Sequence, residues 1–253
     1  VQVFHPSMLH ATQQRSRTAA ELRNAIENGE LSLYYQPVVE LATGRIIGIE
    51  ALLRWVHPTR GMIMPESFIP VAEETGLIVD LGRWVLQEAL QQLKAWNDVE
   101  PLPAHLKLHL NLSAAELLRN DLLEDIAGSL ERYGIDPERL VFEITETVLM
   151  TRETEEAQVL GKIRGLGVGL QIDDFGTGYS SISYLRSLPA DTVKVDQSLI
   201  EGMDNDAGQR TFVAAVLQLI ESAGLQAIVE GIETAEQAIQ LRRLGCRFGQ
   251  GYY

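Results

Sequence analysis

The sequence predicts an α/β fold, a TIM-like (β/α)8 barrel with an antiparallel first strand. The length of 253 residues fits one such domain, which typically needs roughly 250 residues. Short β-rich runs alternate with amphipathic helical patterns along most of the chain. Residues 40–45 separate the first two runs and are too few for a crossover helix, so we expect those two strands to be antiparallel. A doubly wound open sheet is the alternative fold.

The elements follow in order from these local patterns. Residues 1–30 differ from the rest and are interpreted as a linker helix that leads into the barrel, which we assign to residues 31–253. The predicted strands are 33–39, 46–53, 106–112, 140–144, 168–172, 192–195, 225–229 and 247–250. The predicted helices are 77–96, 114–133, 154–166, 179–188, 208–223 and 235–244.

The composition excludes several classes of protein. With 35 acidic and 21 basic side chains the formal net charge is −14, which repels the phosphates of a DNA or RNA duplex. A single cysteine, Cys246, excludes an intrachain disulfide framework and a cysteine-based zinc site. We find no membrane-spanning run or signal peptide and expect a cytoplasmic domain. Because the chain begins with Val1, we interpret it as a piece of a longer protein, which leaves room for a membrane anchor upstream.

Polar side chains stand at seven successive strand ends. They are Glu50, Asn111, Glu143 with Glu146, Asp173 with Asp174, Lys194, Glu230 and Gln250. The ends of parallel strands in a closed barrel form one mouth, where active sites lie. The alternation on the third strand puts His109 and Asn111 on the face opposite Leu108 and Leu110. We therefore expect the polar faces to point into the barrel and towards its mouth.

These acids could be helix N-caps in the loops after the strands. That interpretation fails for the whole set, because Lys194 and Gln250 are poor caps and Glu50 lies within a β-rich run. Converging carboxylates repel one another, and divalent cations relieve the repulsion. Oxygen ligands suit Mg²⁺ or Mn²⁺ rather than zinc. The adjacent Asp173 and Asp174 are suited to hold two ions, which can clamp the attacking and leaving oxygens of a phosphodiester.

Nine motifs occur in order along residues 31–253. They are YQP (35–37), EALLRW (50–55), PESFIP (65–70), NLS (111–113), EITE (143–146), DDFGTGYS (173–180), KVD (194–196), EGIET (230–234) and QGY (250–252). Together they resemble the EAL family, the cyclic di-GMP phosphodiesterase domains of bacterial signalling. No catalytic motif departs from the family pattern.

The resemblance implies a role for each site residue. Glu50, Asn111, Glu143 and Asp173 resemble the ligands of one metal ion, and Asp173 with Asp174 those of a second. Lys194 and Glu230 resemble the catalytic residues that position water, and Glu230 is sometimes assigned base character. Glu146, which we group with the catalytic residues, resembles the acid that anchors the loop after Asp174 near the dimer interface. The residues that resemble substrate contacts are Gln36, Arg54 and Gln250.

The implied reaction opens cyclic di-GMP to linear pGpG with two Mg²⁺ or Mn²⁺ ions per site. The resemblance also implies a homodimer, and a GGDEF or sensory domain upstream in the same chain. One alternative is a catalytically silent module that binds cyclic di-GMP as a sensor. Another is a different two-metal hydrolase on the same barrel.

Overall fold

The computed structural model describes residues 6–146, 154–177 and 189–253. Its strands form a closed barrel with helices outside, so the predicted fold class is confirmed. The strands are β1 (Leu31–Glu40), β2 (Arg45–His57), β3 (Gly61–Ile63), β4 (Lys107–Asn111), β5 (Leu140–Thr145), β6 (Gly169–Phe175), β7 (Thr192–Val195), β8 (Gln226–Ile232) and β9 (Phe248–Gly251). Eight strands close the barrel through the order β1-β9-β8-β7-β6-β5-β4-β2 and back to β1, and β3 extends β2 as a short hairpin.

The first strand runs against both of its neighbours. It pairs antiparallel with β2 from Leu31 opposite Trp55 to Glu40 opposite Arg45, and antiparallel with β9. The other barrel pairs are parallel. The short 40–45 connection therefore makes the antiparallel pair that its length predicted.

Eight α-helices are described. They are α1 (Pro6–Asn28), α2 (Ile69–Thr75), α3 (Ile78–Val99), α4 (Ala114–Leu117), α5 (Leu122–Tyr133), α6 (Thr154–Gly165), α7 (Ala207–Ser222) and α8 (Ala235–Arg243). Short 3₁₀ turns occupy Pro65–Ser67, Pro137–Arg139 and Gln197–Leu199. The predicted helix 179–188 lies outside the described residues. None of the described helices combines the length and hydropathy that crossing a bilayer requires.

Helix α2 was not predicted, and two further features differ from the sequence prediction. The single helix predicted over 114–133 is two helices, because Asn120 and Asp121 favour turns and caps over helix interiors and interrupt the chain between α4 and α5. The β2–β3 hairpin was missed, because a three-residue strand gives almost no periodic signal.

The apolar core lies between the strands and the surrounding helices. On β4, Leu108 and Leu110 belong to this core, whereas His109 between them faces the barrel interior and hydrogen-bonds with Glu143 on the neighbouring strand β5. The same alternation on β6 puts Leu170 and Ile172 in the core. Helix α1 contributes to a second apolar cluster, in which Leu22 and Ala25 lie with Trp55 and Phe68. That packing attaches residues 19–26 to the barrel, and the division at residue 30 stays a prediction.

Candidate functional site

Strand register brings the predicted site residues to one level of the barrel. Gln36 on β1 lies opposite Glu50 on β2, and Asn111 on β4 lies beside Glu143 on β5. Asp173 on β6 pairs with Thr145 on β5, two residues after Glu143 along that strand. Because these strands end at the same mouth, their polar side chains converge on one volume.

Lys194 is the centre of this cluster. Its side chain comes from β7, and only 1% of the residue is exposed. The ammonium Nζ lies 3.2 Å from Glu50 Oε2, 3.0 Å from Glu143 Oε2, 3.2 Å from Asp173 Oδ1 and 2.5 Å from Glu230 Oε1. One cation thus contacts four carboxylates from four different strands.

Amide side chains hold Glu50 from two sides. Asn111 Nδ2 donates to Glu50 Oε1 at 3.2 Å, and Gln250 Nε2 donates to Glu50 Oε2 at 2.7 Å. Gln250 Nε2 also lies 3.1 Å from Gln36 Oε1. Two of the predicted substrate contacts, Gln36 and Gln250, are therefore part of the same network as the predicted metal ligands.

Glu143 has two further partners that sequence reasoning did not assign to the site. Gln171 Nε2 donates to Glu143 Oε1 at 2.6 Å, and His109 Nδ1 lies 3.0 Å from the same oxygen. Burial lowers the pKa of His109 to about 4, with the Lys194 charge acting in the same direction, so the imidazole is neutral. The tautomer with a proton on Nδ1 donates to the carboxylate. The alternation of side chains along β4 and β6 places both residues on the inward face, but it does not show which carboxylate they contact.

Asp173, Asp174 and Glu230 form the most compact acidic group. Each offers one carboxylate oxygen, and these oxygens lie within 4.8 Å of one another. Among the described residues Asp174 is the one non-glycine with a positive φ, 54°. The β6–β7 register shifts between Ile172 and Phe175, so the backbone turns there and brings two successive carboxylates to the mouth.

Glu146 lies beside the loop that follows Asp174. Its Oε2 accepts a hydrogen bond from the Gly176 backbone at 3.4 Å, and the side chain is buried. Gly176 has a φ of 107°, and a Cβ there would come within 2.3 Å of Leu199. This position therefore requires glycine, and Glu146 contacts its backbone directly.

The cluster carries more negative charge than its lysine neutralises. Burial raises the pKa of Glu143 well above its usual value, and the charges of Glu50 and Asp173 act in the same direction. Burial also raises the pKa of Glu230 to about 7. Burial alone would lower the pKa of Lys194, but the surrounding carboxylates, Glu143 foremost, raise it well above its usual value. The site therefore favours any species that adds positive charge, a proton or a cation.

The donor set fits hard divalent cations. Asp173 Oδ1 is buried and has no partner with hydrogen-bond geometry, although Lys194 lies at ion-pair distance. Burial and the neighbouring Asp173 charge raise the pKa of Asp174, as expected for carboxylates that share a volume. Carboxylate and amide oxygens are the ligands that Mg²⁺ and Mn²⁺ prefer, so this acidic cluster could hold such ions.

A cavity of about 570 Å³ opens beside the cluster. Asn111, Asp174 and Arg54 line its polar side, and side chains such as Ile69 and Leu81 line its apolar side. The Arg54 guanidinium donates to the backbone oxygen of Leu53 at 2.8 Å. A planar cation in the wall of a cavity of this size suits a phosphate-bearing small molecule.

Comparison with known proteins gives consistent matches. The chain is 40% identical to the bifunctional diguanylate cyclase/cyclic di-GMP phosphodiesterase MucR of Pseudomonas aeruginosa, over 98% of this chain and 36% of that protein. It is 40% identical to the oxygen sensor protein DosP of Escherichia coli K12, over 100% of this chain and 31% of DosP. The chain thus spans about a third of the length of these curated relatives.

Solved structures give the same answer. The PaMucR phosphodiesterase in complex with c-di-GMP superposes with a TM-score of 0.86 at 40% identity, covering 93% of this chain and 94% of that one. The FimX EAL domain from Pseudomonas aeruginosa bound to c-di-GMP superposes with a TM-score of 0.84 at 26% identity, with the same coverage. The family model of the EAL domain matches residues 19–253. The chain therefore belongs to the EAL domain family.

Proposed function

We propose that this domain is a metal-dependent phosphodiesterase that hydrolyses cyclic di-GMP to linear pGpG. The observation that carries the proposal is the buried Lys194 with its four carboxylates, beside a cavity lined by Arg54. Relatives named as cyclic di-GMP phosphodiesterases support the substrate, including PA2567 of Pseudomonas aeruginosa at 39% identity.

Two groups of residues would hold the ions. We propose Glu50, Asn111, Glu143 and Asp173 for the first ion. Asp173 and Asp174 would hold the second. When bound, Mg²⁺ or Mn²⁺ at these positions would activate water and neutralise charge on the phosphodiester.

The chain's own residues then have separate tasks. Arg54 binds a phosphate of the substrate, and Gln36 and Gln250 orient it. Lys194 Nζ stabilises the negative charge that develops on the phosphate oxygens. Glu230, whose pKa of about 7 lies near the operating pH, accepts a proton from the attacking water. As the water oxygen bonds to phosphorus, the bond from phosphorus to the 3′ oxygen breaks, and that oxygen takes a proton from solvent.

Incubation of the purified chain with cyclic di-GMP and Mn²⁺ or Mg²⁺ tests this proposal. We expect pGpG by ion-pair chromatography, and none after chelation with EDTA. Parallel samples with linear dinucleotides and phosphomonoesters identify a different two-metal hydrolase. The absence of pGpG from a folded, metal-loaded dimer would overturn the proposal, and tight binding without turnover would assign the domain as a sensor.

Three further properties belong to the same proposal. We propose that the domain works as a homodimer in the cytoplasm, with Glu146 close to the interface through the loop after Asp174. We also propose a GGDEF or sensory domain upstream. The greater length of MucR and DosP and their names, a bifunctional cyclase and an oxygen sensor, support this arrangement.

A further inference from the structure

The two carboxylate oxygens of Glu143 have different partners. Oε2 lies 3.0 Å from the Lys194 ammonium, on the side of the cluster. Oε1 contacts Gln171 Nε2 at 2.6 Å and His109 Nδ1 at 3.0 Å. Glu143 is 1% exposed, so its carboxylate contacts protein groups in the barrel interior rather than bulk solvent. Rotation of the carboxylate group would break both contacts of Oε1 at once.

Each of these two partners is itself held in place. Thr192 Oγ1 donates to Gln171 Oε1 at 2.7 Å, which directs the Gln171 NH₂ group at Glu143. The His109 ring lies against Gly48, where a Cβ would come within 2.7 Å of His109 Nε2. Gln171 is 1% exposed and His109 is 5% exposed. The amide and the imidazole therefore have fixed orientations, which is the arrangement that supports metal ligands in proteins.

Simple space filling does not explain these two residues. An apolar side chain of similar volume would fill the interior without the cost of burying an amide and an imidazole. Here the hydrogen bonds run from Thr192 to Gln171 and from Gln171 to Glu143, so each of these polar side chains has a partner. The series ends at Glu143, a proposed metal ligand. Such fully connected polar networks rigidify the groups they contain.

We propose that Gln171 and His109 are positioning residues that fix the carboxylate plane of Glu143 and keep Oε2 directed at Lys194 and the ion site. This inference rests on the proposed metal-dependent function. Its consequence is that affinity for the ions depends on side chains that touch neither ion nor substrate. Loss of such supporting partners typically weakens metal binding by about 10–100-fold.

The test measures Mn²⁺ binding without substrate, by electron paramagnetic resonance of free Mn²⁺ in titrations of the purified chain. We expect Gln171→Leu and His109→Phe to weaken Mn²⁺ binding by about 10–100-fold. His109→Asn retains an N–H donor near the position of Nδ1, so we expect it to restore most of the affinity. Gln91→Leu on helix α3 and His105→Phe in the segment before β4, both at exposed positions, are controls with no expected effect.

A second set of variants covers the case in which these substitutions unfold the protein. Thr192→Val removes the hydroxyl that orients Gln171, and Gly48→Ala displaces the His109 ring without deleting any donor. Both should weaken Mn²⁺ binding in a folded protein, and Thr192→Ser should restore it. Unchanged Mn²⁺ affinity in the folded variants would overturn the inference and leave the proposed function intact. Mn²⁺ binding by the wild type without hydrolysis would overturn the function alone, and a wild type that bound no Mn²⁺ would overturn both.

Discussion

Lys194 has an unusual position for a lysine, because buried lysines are rare unless they are paired. Its single positive charge forms ion pairs with four carboxylates, those of Glu50, Glu143, Asp173 and Glu230. Removing one member of a buried charge group leaves the others uncompensated, which is costly. Divalent cations bound at this site would supply the missing charge, so the effect of Lys194 on folding can be separated from its proposed role in turnover.

Lys194→Ala in the presence of saturating Mn²⁺ should lower kcat by roughly 10²–10³-fold, since it removes a cation aimed at the developing charge. We expect the affinity for cyclic di-GMP, measured by calorimetry, to change far less. Lys107→Ala is the control, because Lys107 is an exposed lysine at the opposite end of the barrel. An equal loss of binding and rate would instead assign Lys194 to ground-state binding.

At the scale of elements, two helical glycines have different surroundings. Gly82 on α3 lies against Glu116 of α4, and a Cβ at position 82 would meet Glu116 Oε1 at 1.7 Å. Glu116 is buried and forms a capping box with Ser113 at the start of α4. Gly128 on α5 has no heavy atom within 4 Å of a Cβ position. Close packing of α3 on α4 therefore depends on the missing side chain at Gly82.

Gly82→Ala should destabilise the protein, because Glu116 must leave its capping position. Loss of an N-cap alone costs about 1 kcal/mol. Gly128→Ala should stabilise it by about 0.5–1 kcal/mol, since alanine is the better helix former. Urea unfolding of the two variants measures whether the free energy of unfolding falls for Gly82→Ala and rises for Gly128→Ala. A stabilised Gly82→Ala variant would show that the α3–α4 contact is dispensable.

The strand ends could be predicted because period-two alternation is visible in a single sequence. This alternation predicted that Asp173 and Lys194 lie at the same end of the barrel, without knowledge of the register between the strands. The contacts of Gln171 and His109 with Glu143 could not be predicted, because they depend on the register between β4, β5 and β6. The positive φ of Asp174 depends on a register shift, which has no local sequence signal.

At the scale of the whole molecule, part of the net charge of −14 is concentrated at one mouth. The acids there are Glu50, Glu143, Glu146, Asp173, Asp174 and Glu230. Lys194 and Arg54 are the cations of the same region. The local surplus is formally four negative charges, six against two. Two divalent cations would cancel it, which would allow this acidic protein to bind the anionic dinucleotide proposed as its substrate.

This surplus makes stability depend on pH. The pKa of Glu230 is about 7 in the folded state against 4.5 for the ordinary side chain. The folded state thus binds the proton more tightly, and this contribution to stability is lost as the pH rises from 4.5 through 7. The melting temperature of the metal-free protein should fall over this range, and Glu230→Gln should flatten the slope. An unchanged slope in Glu230→Gln would contradict the assignment.

Mn²⁺ should raise the melting temperature and so oppose the loss of stability at high pH. At 100 times its dissociation constant, a ligand stabilises the folded state by about 2.7 kcal/mol, or roughly 5–11 °C for a chain of this size. We expect this shift at pH 8 and a smaller one at pH 5, because protons compete for the carboxylates at low pH. Thermal unfolding with and without Mn²⁺ at both pH values checks this. Equal shifts at the two pH values would contradict binding of the ions by the ligand carboxylates whose pKa values are raised, Glu143 and Asp174.

The reversed first strand has a mechanical consequence. The ten residues of β1 span roughly 30 Å, so reversing the strand moves the junction with α1 from one end of the barrel to the other. That junction lies where Ser32 pairs with Arg54, and Glu30 accepts a hydrogen bond from Trp55 Nε1 at 3.0 Å. A displacement of α1 would therefore be transmitted first to the backbone next to Arg54, the proposed phosphate-binding residue. Helix α1 therefore joins the barrel at the end that carries the candidate site.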